Sequence, residues 1–383
     1  MKINASALVP VLCAFLWSGF SLTAQNCYYK HLKGTIGKSP VTMQLHGNGI
    51  LGYYDGDTYK EGEAFSGTYT YNKYQEPINF QGYRTSTGMI ELNEYYADES
   101  TGQFNGNFDS EGNFNGVWKN AEETLIIPFS LRESYPDGTV ALETYCRSDS
   151  MKLFETMEFS PEAKNYMQWL WPAKTTSEST KTFLEKAIPA AMLMDSVAPT
   201  VQSPEMLYMV DKNTFFEAYR YDMSEIRQDD STVAEYPYMY SYDQQTALRV
   251  LWNEDYRLSL GYELYLYTGG AHGNYATSYL SYDLKSERAL LLNDVFLPGF
   301  EDPLNALLEA AVRKKFQLTE EQALTEVLFD DGISFNENFY LTGKGIVFAY
   351  VPYEIAAYAV GQIELFIPFV EIGALLQPGI ADL

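Results

Sequence analysis

Phe104-Asn-Gly-Asn-Phe108-Asp-Ser-Glu-Gly112-Asn-Phe114-Asn-Gly-Val-Trp118 carries one motif twice: an aromatic residue, any residue, glycine, any residue and an aromatic. Residues two and four apart along a strand face one way, so in each copy the outer aromatics and the glycine share a face. The glycine leaves room there for a neighbouring ring or for a bend. A third copy stands at Phe65-Ser-Gly-Thr-Tyr69, with a shorter echo at Phe80-Gln-Gly-Tyr83. The intervals between copies are irregular, which argues against a solenoid and predicts a β-meander closing into a small barrel or sandwich. Asp109-Ser-Glu-Gly112 and Ser100-Thr-Gly102 read as its hairpin turns.

Outward from that stretch the same texture runs from Cys27 to about Glu133: short apolar-aromatic runs, glycine and polar turn residues, and no helix signals. Ser134 to Ser150 joins this half to the next, with a turn at Pro136-Asp137-Gly138. Beyond it the period changes. A helix is expected to open around Ser177 to Thr180, with a stripe at Phe183, Leu184, Ala187 and Ala191 that Pro189 kinks or ends. Glu301 or Asp302 ahead of Pro303 starts a second helix through Leu304, Leu308 and Val312, and Thr319-Glu-Glu-Gln322 has the form of a capping box for a third. Tyr256 to Tyr267, Tyr275 to Asp283, Phe339 to Leu341, Gly345 to Val351 and Ile363 to Phe369 read as strands. The expected fold class is therefore α+β: an all-β barrel or sandwich over residues 25–149, then an α+β domain over 150–383 with a mainly antiparallel sheet and helices on one side.

Residues 1–24 contain Lys2, an apolar stretch from Ala5 to Leu22 and Ala24, the order of a secretory signal, so the mature chain is expected to begin near Gln25. No later run reaches the roughly 20 apolar residues that span a bilayer. The chain is 46% apolar and 15% aromatic, enough to bury a sizeable core. Its net charge of −25 repels nucleic acid and anionic lipid and favours a cationic partner, although solubility alone accounts for much of such a charge. Past the leader only Cys27 and Cys146 remain, one at each end of the first half, and an oxidising compartment would let them pair.

Tyr267-Thr-Gly-Gly-Ala-His-Gly-Asn274, Tyr282-Asp-Leu, Leu292-Asn-Asp-Val-Phe296 and Tyr353-Glu-Ile-Ala-Ala-Tyr358-Ala-Val-Gly361 ahead of Ile367-Pro368 occur in that order. Together they resemble the RsiV-type C-terminal domain of exported bacterial proteins, with its PdaC-type preceding segment, over roughly residues 150–376. The resemblance implies an extracytoplasmic α+β domain, which in one family member serves as a lysozyme receptor and in others flanks a polysaccharide deacetylase. This chain has neither an internal membrane helix with a sigma-binding part nor a deacetylase domain.

Gly269, Gly270, His272, Gly273, Asn274 and Tyr275 form a glycine-rich loop after a strand, where glycines permit positive φ and close approach. It either presents His272, Asn274 and Tyr275 to a partner or is a tight turn whose histidine bonds the backbone. Tyr353 and Glu354 follow Pro352; the glutamate either pairs with His272 as acid and base or bonds its own turn. No Gly-x-Ser-x-Gly elbow accompanies them. The only histidines are His31, His46 and His272, with no His-Glu-x-x-His helix, so neither a metal nor any cofactor is expected. Asp55-Gly-Asp57 with Glu61 and Glu63 lacks the spacing of a calcium loop. Among 32 tyrosines, Tyr69-Thr-Tyr71, Glu94-Tyr-Tyr96 and Tyr236-Pro-Tyr-Met-Tyr240 are either strand packing or platforms for sugar rings. The sequence thus points to an exported, non-catalytic binding module for a lysozyme-like or other cationic cell-wall-associated protein. A cell-wall glycan is the alternative ligand and a hydrolase the less favoured class.

Overall fold

The computed structural model describes residues 27–49, 53–55, 58–60, 62–96, 99–193 and 196–381. The leader, Asp57 and Glu61 lie outside them. Strands β1 (Tyr28–Ile36), β2 (Ser39–Asn48), β5 (Ala64–Tyr71), β6 (Ile78–Arg84), β7 (Ile90–Tyr96), β8 (Glu99–Phe108), β9 (Phe114–Asn120) and β10 (Ile126–Glu133) close an eight-stranded antiparallel barrel. A small hairpin, β3 (Tyr53–Asp55) and β4 (Thr58–Lys60), is inserted between β2 and β5. Sequential neighbours pair all the way round, and β1 closes the circle between β2 and β10.

Side chains fill the barrel, as expected for a barrel of this strand number. Leu32, Met43, Leu45, Ile90, Leu92, Phe104 and Phe114 are fully buried there. The repeated glycines act as the sequence suggests: a Cβ at Gly67 would stand 2.9 Å from the Phe80 ring, and one at Gly106 2.6 Å from the Phe129 ring. Asp109 to Gly112 is a turn, with the Asp109 carboxylate accepting from the Glu111 and Asn113 amides. Ser100 to Gly102 is not a turn; it is the start of β8, opposite a bulge at Glu94 and Tyr95.

The second half is built on a six-stranded sheet in the order β11 (Leu142–Lys152), β12 (Glu162–Pro172), β13 (Tyr242–Glu254), β14 (Arg257–Tyr267), β15 (Asn274–Asp283) and β16 (Arg288–Ala289). The expected division at 149/150 falls inside β11, whose full length pairs with β12, so the change of sheet comes between Glu133 and Leu142. All pairs are antiparallel except β12 with β13. The parallel pair needs a long crossover, supplied by α1 (Glu178–Met192), α2 (Pro204–Asp222) and α3 (Ser231–Glu235). Ser177 caps α1 by accepting from the Thr180 amide, and the helix runs through buried Pro189 to Met192. Helix α2 gave no expectation in the sequence, because its polar and apolar residues are poorly segregated; Leu207, Tyr208, Phe215, Phe216 and Tyr219 nevertheless pin it to the sheet.

A three-stranded sheet, β17 (Phe339–Leu341), β18 (Gly345–Tyr350) and β19 (Ile363–Pro368), follows short α4 (Leu292–Val295) and α5 (Glu301–Lys315), with α6 (Phe369–Ile372) after it. Leu304, Leu308 and Val312 of α5 share one core with Ile346, Phe348 and Leu365. The box at Thr319 opens no α-helix: the Gln322 side chain accepts from the Thr319 amide, and only a single 3₁₀ turn, Leu324–Glu326, follows, with the Asp331 carboxylate accepting from the Leu324 amide.

Barrel and sheet meet through β2, which is buried on both faces. Its inward Val41, Met43 and Leu45 fill the barrel, while the alternating Thr42, Gln44, His46 and Asn48 project from the other face and are buried as well. Each of them needs a polar partner there. Asn48 donates to Tyr166 Oη and to Gln168 Oε1 (3.3 Å), His46 Nε2 accepts from the Val250 amide (3.0 Å), and Gln44 accepts from Tyr29 Oη (2.6 Å). Asn253 donates to Tyr29 Oη and the Val140 carbonyl. A disulfide between Cys27 and Cys146 fastens β1 to β11 across this interface, with Cα atoms 6.1 Å apart.

Candidate functional site

The glycine-rich loop between β14 and β15 turns on Gly269 and Gly270, at φ 89° and 96°, where only glycine is unstrained. It leaves His272, Asn274 and Tyr275 exposed and Gly273 buried. The His272 ring stacks on Tyr358 at 4.5 Å, and His272 Nδ1 and Tyr358 Oη both reach the Gly273 carbonyl, at 2.9 and 2.8 Å. The histidine bonds its own turn, as the tight-turn reading has it, and the residue is exposed.

Tyr358 lies in the β18–β19 connection and gathers two further rings. Tyr275 meets it edge-on at 5.8 Å, and Tyr353 packs on it at 5.4 Å. Tyr353 is 56% exposed and is held at φ +70°, a conformation that costs a tyrosine of order 1–3 kcal/mol. Glu354 does not pair with His272. Its Oε2 accepts from the Val351 amide and its Oε1 from Asn336, both at 2.9 Å, so it bonds its turn and holds Tyr353 in place.

A second aromatic group adjoins the loop from the other side. A Cβ at Gly269 would stand 2.7 Å from the Met239 carbonyl, so the loop lies against the turn Pro237–Tyr240. There Tyr236, Tyr238 and Met239 are exposed, and a groove of about 380 Å³ runs between Phe159, Tyr238, Tyr242 and Tyr267. Of the other tyrosine runs, Tyr69 is barrel core, donating to buried Glu94, which Trp118 also contacts at 3.0 Å.

His31 and His46 are interior groups. Burial lowers the His31 pKa to about 4, and burial beside Arg249 holds His46 well below the usual imidazole value. Among the described residues no three His, Cys, Asp or Glu side chains are grouped as metal ligands, and no helix is long and apolar enough to cross a membrane. Tyr358, the residue on which the cluster turns, lies within the Tyr353–Gly361 motif, where nothing local distinguishes a ring that organises neighbours from one that merely packs.

Two protein-family models match the second half: deacetylase PdaC over residues 177–275, and DUF3298, a protein of unknown function, over residues 293–370. The glycine loop thus closes the first match and Tyr353 and Tyr358 lie in the second. A solved DUF3298-family structure from Bacteroides fragilis is 27% identical, covering 62% of this chain and 95% of its own, with a TM-score of 0.56. Another, from Pseudomonas aeruginosa, is 17% identical over 63% of this chain and 96% of its own, with a TM-score of 0.43. No curated protein matches the chain.

Proposed function

We propose that this chain is an exported, non-catalytic binding module that docks a cationic protein, with a lysozyme-like enzyme as the first candidate, on the aromatic surface around His272. The observation that carries the reading is Tyr353, exposed and held in a strained conformation by Glu354 beside Tyr358. Backbone strain kept where no core requires it argues for function at that position. Tyrosines with one wet and one packed edge are frequent anchors of protein interfaces. The net charge of −25 would steer a basic partner to the surface and make the encounter sensitive to salt.

Titration of the mature protein against hen-type lysozyme at two salt concentrations tests this. Binding that weakens with salt, and that weakens by roughly tenfold or more in Tyr353→Ala, is the expected result. Folded protein that gives no heat with any lysozyme at low salt sinks the candidate. The groove between Phe159, Tyr238 and Tyr267 favours a second reading, stacking of a cell-wall glycan, which would be nearly indifferent to salt and would perturb tyrosine fluorescence.

A further inference from the structure

A larger cleft, of about 510 Å³, separates the outer wall of the barrel from the six-stranded sheet and shares no lining residue with the tyrosine-rich surface. Its size falls in the range of small-ligand pockets, and such pockets favour the junction of two folding units. From the barrel side, Asn79 and Gln81 alternate outward from β6, both exposed. Among the described residues their amides have no protein partner, although both line a cleft whose opposite wall is densely bonded.

That opposite wall is fixed. Arg249 donates to Glu263 (3.2 Å) and to Gln168 (2.8 Å). Gln362 accepts from the Thr277 amide (3.1 Å) and donates to Tyr279 Oη (2.9 Å) and Glu364 (3.1 Å), while Tyr279 donates to the same Glu364 carboxylate. Each polar group is oriented by another before any ligand arrives. The separation of the walls is fixed too, by the Cys27–Cys146 disulfide and by the contacts of His46 and Asn48 with the sheet.

We infer that this cleft is a binding site for a neutral saccharide of one to a few rings. Two free carboxamides face an arginine, two carboxylates and a third amide, giving donors and acceptors on both walls, the complement of a ring whose hydroxyls each donate and accept. Arg249 is paired with Glu263, and Glu364 accepts only from the neutral donors Tyr279 and Gln362, so the lining disfavours an anion and leaves a carboxylate to accept from hydroxyls. Of the large rings of the cleft, Phe80 and Tyr279 are buried in their own cores, and half-buried Tyr95 is the one left to meet a sugar face.

The test is calorimetric titration of the mature protein with chitotriose, maltotriose and trialanine, repeated on Gln81→Ala and Asn79→Ala, exposed barrel substitutions expected to leave the fold intact. The inference expects at least one trisaccharide to bind, and each substitution to weaken it roughly tenfold through one lost ligand hydrogen bond. It is overturned if no trisaccharide binds, if trialanine binds in their place, or if binding survives Gln81→Ala and is lost in Tyr238→Ala, which would move the sugar to the tyrosine groove. None of these outcomes bears on salt-sensitive protein docking at Tyr353.

Discussion

The tripeptide His-Gly-Asn occurs twice, at His46-Gly47-Asn48 and at His272-Gly273-Asn274, and the two copies have opposite fates. In the first, all three residues are buried, with His46 and Asn48 bonded across the interface between barrel and sheet. In the second, the histidine and asparagine are exposed at a loop, and only the glycine is buried. The glycine has the same duty in both: a Cβ would stand 2.6 Å from the Tyr28 ring at Gly47 and 2.5 Å from the Tyr265 ring at Gly273. The glycine therefore admits a ring from a neighbouring strand in both copies, whereas the role of the histidine depends on what the other half of the molecule lays over it.

The sharpest way to break this comparison is to truncate both histidines. His46→Ala removes a buried ring and strands the Val250 amide, and is expected to cost about 2–4 kcal/mol in chemical denaturation. His272→Ala, on a solvated turn, is expected to stay within about 0.5 kcal/mol. Equal losses would mean that the two copies are not different in kind.

Acid titration of stability sharpens it further. His46 and His31 are kept neutral in the fold, so below pH about 6.5 the unfolded chain takes up protons that the folded chain does not, and stability falls as pH is lowered. Each histidine contributes a slope of up to about 1.4 kcal/mol per pH unit in that window. Asp211 works the other way: burial raises its pKa to about 6, even with Asn165 and Gln244 donating to it. The folded state therefore holds its proton above the unfolded carboxyl range, and stability is gained as pH falls from 6 toward 4. Asp211→Asn is expected to steepen the acid loss, read from denaturation midpoints between pH 7 and 4.

The smallest effect concerns the exposed copy's neighbour. Tyr353→Gly relieves the positive φ and should leave stability unchanged or raised by up to about 1 kcal/mol while abolishing partner binding. A clear destabilisation would make Tyr353 a packing residue and leave the docking surface without its anchor.

The all-β character of the first half was legible because a two-residue period and glycines between aromatics are local signals. Strands β14, β15, β17, β18 and β19 were read to within a residue or two, whereas two-residue β16 was not. Strands β11, β12 and β13 were not read: in β12 burial on both faces erases alternation, as in the run from Tyr166 to Trp171, whereas β11 is mostly polar and unburied and so shows no apolar period. Of the residues named in the loop and after Pro352, His272, Tyr275 and Tyr353 are grouped around Tyr358, whereas Glu354 bonds its own turn.

By itself the sequence determined the fold class and the charge, since these depend on residue type and spacing alone. Only the tertiary structure decided that Cys27 meets Cys146, that His46 is interior while His272 is exposed, and that Gln81 faces Arg249 and Glu364 across a cleft. Each of those depends on how two independently patterned units are laid against one another, and that contact is made between residues more than a hundred positions apart, where no local period can record it.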